Sequence, residues 1–239
     1  MPTQALIARN SQAITIEGLE GLTMQDCTLP AQKIIQPVTH GTELTDCGKF
    51  INTVSKEIRP TLDVVILRIW KVRTYFKNVG DKAPACSSND GTLSANPDTI
   101  VQGYNVCAAC IFSKWDEQTD TPPPCKEGYM ALCMDYATGE KFLVRGMSTS
   151  RAAMKGIISL FTSKSRPPFS GKTHFSTEAV TGETKYWILK ASVSLFAPEE
   201  TARWRNEYLT MVGVSVGEQV EPLPDEAPPV AEDEEGLQF

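Results

Sequence analysis

Asp63-Val64-Val65-Ile66-Leu67-Arg68-Ile69-Trp70-Lys71-Val72-Arg73-Thr74-Tyr75-Phe76-Lys77 is the stretch on which the fold turns. It is dominated by β-branched and aromatic residues, the types that fit a pleated, half-buried surface, and it predicts one long strand. Side chains alternate between the two faces of a strand. One face then carries Val64, Ile66, Arg68, Trp70, Val72, Thr74 and Phe76. The other begins apolar with Val65, Leu67 and Ile69 and turns basic and aromatic with Lys71, Arg73, Tyr75 and Lys77. The first half is expected to cover a core, and the second to meet solvent or a partner.

Upstream, Ala13–Ile16 and Lys33–Gln36 read as short strands, the latter stopped by Pro37. Gly48–Ile58 predicts a short helix ended by Pro60. Downstream, residues 80–128 are polar and rich in Gly, Pro, Asn and Asp, and so long a structureless loop inside a compact domain is unusual. Tyr129–Tyr136 predicts a strand, Ala137–Glu140 a turn, and Lys141–Gly146 the returning arm of a hairpin. Ser148 or Thr149 is placed to cap a helix to about Thr162, with Met154, Ile157, Ile158 and Phe161 as its apolar stripe. Lys164–Pro168 is a basic loop, and Lys185–Leu195 predicts a strand. A final helix starts at Pro198, whose fixed φ suits a first helical position, and carries Trp204, Tyr208 and Met211 on one side.

A chain of 239 residues with 41% hydrophobic side chains can build one sizeable core. Its sixteen glycines and sixteen prolines favour many turns over a helical bundle, so the expected class is mainly β (α+β). The longest apolar stretch, Val64–Trp70, is interrupted by Arg68 and is too short to span a membrane. The N-terminus lacks the basic start and apolar run of a signal peptide. The expected location is therefore the cytoplasm, where seven cysteines are not expected to pair as disulfides.

Four of those cysteines are grouped. Cys86 precedes the Cys107-Ala108-Ala109-Cys110 pair, and Cys125 follows it, all within the polar segment. A Cys-x-x-Cys turn aims two thiolates at one point, and a structural zinc needs two more soft ligands to complete a tetrahedron. The alternatives are four unrelated thiols or a redox pair. A redox pair sits between a strand and a helix, whereas this one lies in a turn-rich insert with two further cysteines. Structural Zn2+ on Cys86, Cys107, Cys110 and Cys125 is therefore expected, with four thiolates leaving no open position for catalysis. It would supply the order that an insert lacking apolar residues cannot supply itself. Cys133 is a substitute ligand on paper but sits in a strand and reads as core. Cys27 and Cys47 are too distant in sequence to assign, and His40 and His174 read as ordinary polar residues.

Basic and aromatic side chains recur along the body. Lys71, Arg73, Tyr75 and Lys77 share a strand face, and Arg145, Arg151, Lys155, Lys164 and Arg166 cluster in sequence. Single strands are held without sequence readout by cations that track phosphates and aromatics that stack bases. Singly, each of these residues reads as a solvated face or a core aromatic; it is the combination that points to nucleic acid.

Charge is segregated. The net charge is −6, yet eight of the 29 acidic residues and none of the 23 basic ones lie in 218–239, leaving the body at about +2. The segment from 217 is proline-rich and acidic and is expected to be disordered. Its last residues run Glu232-Asp233-Glu234-Glu235-Gly236-Leu237-Gln238-Phe239. An acidic tail with a terminal aromatic behind a β-rich body resembles the single-stranded DNA-binding proteins of bacteria and phages. That resemblance implies that Glu232, Asp233, Glu234, Glu235, Leu237 and Phe239 dock replication and recombination proteins. The insert, with Pro84-Ala85-Cys86, Cys107-Ala108-Ala109-Cys110, Trp115 and Pro124-Cys125-Lys126, is similar to the zinc subdomain of the T4-type phage proteins. Those include a histidine among their ligands, where four cysteines are assigned here.

The resemblance implies an OB-fold-like small barrel over 1–216, with a zinc-binding insert at 80–128, a few helices and the tail at 217–239. It implies sequence-tolerant binding of single-stranded DNA in phage replication, recombination or repair, in the host cytoplasm, compatible with self-association and without a membrane. The alternative is a zinc-stabilised protein–protein adaptor or transcription regulator that works through the tail. An enzyme is not expected: there is no phosphate-binding loop, no His-Glu-x-x-His, and only two histidines.

Overall fold

The computed structural model describes residues 29–39, 41–78, 83–94, 106–182 and 185–212. In chain order the elements are β1 (Ala31–Ile34), β2 (Phe50–Asn52), β3 (Ile58–Arg59), β4 (Leu62–Tyr75), β5 (Cys86–Ser88), β6 (Lys126–Asp135), β7 (Lys141–Met147), α1 (Arg151–Ser163), β8 (Gly171–Val180), β9 (Tyr186–Leu195) and α2 (Pro198–Val212). Among the described residues the strands form one sheet in the order β3-β2-β1-β7-β6-β4-β8-β9, with β5 added to the far end of β4. Every pairing is antiparallel except β1 with β7. The fold is thus mainly β with two helices, and no described helix is long and apolar enough to cross a membrane.

The sheet curls so that the segments flanking β1 and β2 reach β8 and β9. Gln36, just beyond β1, donates from Nε2 to the Trp187 carbonyl (2.7 Å) and accepts at Oε1 from the Trp187 N–H (2.9 Å). The Thr177 hydroxyl of β8 donates to the Gly48 carbonyl. Gly48 adopts φ +88°, and a Cβ there would collide with the Trp187 indole, so the residue needs glycine twice over.

β4 is the long strand expected from Asp63–Lys77, but its alternation breaks. The register with β6 shifts between Ile66 and Arg68, a β-bulge. Val64, Val65, Ile66 and Leu67 are all buried, because the strand carries a core on each face. Val64 and Ile66 join Phe50, Phe142, Phe175 and the α1 stripe Met154, Ile157 and Phe161. Val65 and Leu67 join Met134, Phe169, Phe196 and Trp204 of α2. Beyond the bulge Ile69 packs on the same cluster as Ile66, where unbroken alternation would put it opposite.

The β6–β7 hairpin, β9 and α2 form where expected, within a few residues. Two expectations are corrected, and one strand is added. Gly48–Ile58 is not a helix; it holds β2 and β3, because Phe50 is wholly buried and Phe50–Asn52 pairs with β1. The basic loop leads into a further strand, β8, which pairs with both β4 and β9. α1 starts at Arg151 after a 3-10 turn at Ser148–Ser150, and no side chain caps it. Ala13–Ile16, His40, Cys27 and the tail lie outside the described residues.

Candidate functional site

The cysteine insert is attached to the far end of β4. β5 pairs there in the register Arg73–Ser88, Thr74–Ser87 and Tyr75–Cys86, while β6 pairs on the other side as Arg73–Glu127 and Thr74–Lys126. Cys86 and Cys125 are thereby brought to opposite flanks of one strand end. The Cys107–Cys110 turn closes against β5 through Cys107 N–H to the Thr92 carbonyl (2.8 Å), and Leu93 bridges Val106. Ser113 donates to the Cys107 carbonyl (2.5 Å) and the Cys110 carbonyl (2.7 Å), tightening the turn. Cys125 N–H donates to the Phe112 carbonyl (2.8 Å), and Phe112 stacks on Tyr75 with ring centroids 4.7 Å apart. Asp90 Oδ1 accepts from the Thr92 N–H (2.7 Å), the Leu93 N–H (2.9 Å) and the Ser88 hydroxyl (2.9 Å), which pins the turn after β5.

The six described cysteines are all free thiols. Cys86, Cys107, Cys110 and Cys125 are half-buried and close enough to act on one another electrostatically. Burial pushes the Cys125 thiol up to about 11 against the pull of the Arg73 guanidinium, and Cys107, Cys86 and Cys110 add to the rise. Burial likewise raises Cys107, opposed by a hydrogen bond with Ser88 and by Arg73. Among the described residues no group of three or more His, Cys, Asp or Glu stands placed to hold a metal ion. The donor set still suits zinc in its chemistry: four soft ligands, two of them flanking the end of β4, with a buried Arg73 Nε nearby that has no acceptor among the described residues. Cys133 is wholly buried within the main core, where burial drives its thiol far up, and Cys47 lies elsewhere, near β2. His174 hydrogen-bonds Asp63 (2.9 Å) on the surface.

The same strand end gathers three of the basic residues singled out above around one carboxylate. Glu127 Oε2 lies 2.7 Å from Arg73 Nη2 and 4.0 Å from Lys71 Nζ, and Oε1 lies 3.6 Å from Arg151 Nη1. Arg73, Arg151, Glu127, Lys126, Ser148, Thr149, Cys125 and the 53%-exposed Trp115 line a groove of about 590 Å3 between the insert and the start of α1. Glu127, Lys126 and Trp115 are the members that basic-residue counting passed over. The cross-strand pairs Arg73–Glu127 and Thr74–Lys126 would have found two of them had the register been known.

The other candidates separate. Tyr75 is half-buried on Phe112, and Lys77 is exposed just past β4. Arg145 donates to the Thr74 hydroxyl from β7. Lys155 and Lys164 are exposed on and just after α1. Arg166 is taken up in structure, with Nη2 donating to the Phe196 carbonyl (2.8 Å) and the Thr201 hydroxyl (3.1 Å). Tail residues Glu232, Asp233, Glu234, Glu235, Leu237 and Phe239 lie outside the described residues.

Compared with protein-family models, with curated proteins and with solved structures, the chain has no match in any of the three.

Proposed function

We propose that the protein binds single-stranded DNA without sequence readout, in the groove between the cysteine insert and α1. One observation carries the reading: Arg73 and Arg151 meet Glu127 in a groove that also offers Lys126 and an exposed Trp115, and Lys71 reaches the same carboxylate from beside it. Lys71, Lys126 and Arg151 pair with phosphates, and the Trp115 indole offers a base a stacking face. Affinity of this kind is dominated by phosphates and falls steeply with salt. The curled sheet is read as an OB-type barrel, with the groove at the end of its longest strand.

Zinc on Cys86, Cys107, Cys110 and Cys125 would stiffen the groove's outer wall by tying the insert to the end of β4. When bound, the ion supplies metal–thiolate bonds in place of the apolar core the insert lacks. The acidic tail recruits replication and recombination proteins in this reading. The test is fluorescence titration of the purified chain with oligo-dT at low salt. Quenching of tryptophan emission that weakens with salt is expected, and absence of binding rejects the proposal.

A second reading has its own observation. A groove of about 630 Å3 is walled by Pro167, Phe169, Pro198, Tyr208 and Leu209, with Arg166 and Arg205 beside them. It suits a partner's apolar segment, as an adaptor would require. Deleting 218–239 separates the two readings. A DNA-binding protein keeps or gains oligo affinity, whereas an adaptor loses partner capture and shows no oligo binding in either form.

A further inference from the structure

Arg73 occupies an unusual place on β4. Its backbone pairs with Ser88 of β5 on one side and with Glu127 of β6 on the other. β5 begins with Cys86, and Cys125 immediately precedes β6. The side chain is only 18% exposed. Its Nη2 is committed to Glu127 at 2.7 Å, whereas its Nε is buried and has no hydrogen-bond partner among the described residues. A guanidinium carries five N–H donors in a rigid fork and stays charged, so a buried donor without an acceptor is unfavourable. Cys125 lines the same groove as Arg73.

We infer that Arg73 is a positioning residue for the cysteine cluster: its Nε–H is the donor held ready for a thiolate sulfur of Cys107 or Cys125, and its charge offsets that of the loaded centre. The inference rests on the zinc reading above and removes Arg73 from the residues that grip nucleic acid. Four thiolates around a divalent ion carry a net charge of −2, and an N–H···S hydrogen bond together with a nearby cation stabilises that charge. The link through Glu127 then anchors the guanidinium from behind, as outer-sphere partners of metal ligands are commonly anchored.

The test compares wild type, Arg73→Met, Arg73→Lys and Arg151→Met as full chains loaded with Zn2+ or Co2+. In Arg73→Met, zinc release to a colorimetric chelator should be about tenfold faster or more, the range typical of outer-sphere losses. The Co2+–thiolate charge-transfer band should shift. Arg73→Lys keeps the charge but not the fork and should fall between. The slope of log affinity for oligo-dT against log salt should fall by about one in Arg151→Met, whose zinc release should match the wild type. If Arg73→Met does not fold, the Arg73 Nε–H resonance of the wild type serves instead, and it should shift and gain exchange protection on metal loading. Release at the wild-type rate from Arg73→Met, or an Nε–H resonance indifferent to metal, overturns the role of Arg73 while leaving the zinc reading standing. Wild type that takes up neither Zn2+ nor Co2+ overturns the zinc reading itself, and the inference with it.

Discussion

The side-chain amide of Gln36 does for Trp187 what a neighbouring strand would do: it accepts from the N–H at 2.9 Å and donates to the carbonyl at 2.7 Å. The β1 side of the sheet is therefore tied to β9 through a side chain rather than a ladder. Gln36→Ala leaves both backbone groups unpaired in a half-buried setting, and each unmade bond costs about 1 kcal/mol or more. We expect a loss of about 2 kcal/mol in urea unfolding with the slope unchanged. Gln36→Glu should recover only part of this, since a carboxylate accepts from the N–H but faces the carbonyl with no donor. A midpoint unmoved by Gln36→Ala would mean that the closure is held elsewhere.

Asp135 gives stability a dependence on acid. Its Oδ2 lies 2.7 Å from Arg59 Nη1, and its Oδ1 accepts from the Ala137 and Thr138 N–H groups, both at 2.9 Å. Burial works to raise this carboxyl, but those hydrogen bonds and Arg59 outweigh it, so it sits below the ordinary 3.8. A carboxyl depressed in the folded state stabilises fully above its unfolded pKa and fades as pH falls through the folded one. The wild type should therefore lose stability below about pH 4, and Asp135→Asn should be weaker at pH 7 by about 2 kcal/mol, with less further loss in acid. Parallel pH–stability curves for the two proteins would count against this.

Among the described residues Glu127 is the one carboxylate that lines the groove. Replacing it by Gln removes the negative charge shared by Lys71, Arg73 and Arg151 while keeping the shape. Oligo-dT affinity at low salt should rise roughly fivefold, the equivalent of about 1 kcal/mol for a partly exposed ion pair released to phosphate. Trp115→Ala should act in the opposite sense, weakening binding by about 1–3 kcal/mol if the indole stacks on a base. Equal affinities in all three proteins would place the nucleic acid somewhere else.

Chelation should loosen the insert and spare the body. The insert is joined to the core mainly through β5 and the Tyr75–Phe112 stack, whereas β4, β6, β7, β8 and β9 pair along their own lengths. Stripping the metal should raise limited proteolysis within 106–125 at least several-fold, with thermal unfolding of the remaining sheet little changed. Cleavage that ignores the chelator would contradict a metal-ordered insert.

Long, periodic segments were legible in the sequence, and partnerships were not. β4, the β6–β7 hairpin, the Met154–Ile157–Phe161 stripe and α2 follow from local periodicity and turn chemistry. Gly48–Ile58 was misleading because Phe50, Ile51, Val54 and Ile58 fall at spacings a helix also offers, and only pairing with β1 decides for strands. β8 was hidden because its inward face uses Gly171, Thr173 and Phe175, two of which carry no apolar signal. The bulge between Ile66 and Arg68 leaves no mark in composition. At the candidate site the cysteines announced themselves by spacing. The embrace of Glu127 by Lys71, Arg73 and Arg151 depends on cross-strand register and the entry of α1, which no local pattern specifies.

The alternation of Val64 to Leu67 makes β4 answerable to two interiors. Val64 and Ile66 seal one compartment, and Val65 and Leu67 the other, so a backbone shift that relieves crowding on one side must press on its neighbour. Adaptation in either compartment is thereby tied to the other, and paired substitutions across this partition, such as Ile66 with Leu67, should depart from additivity more than pairs drawn from distant walls of the same compartment.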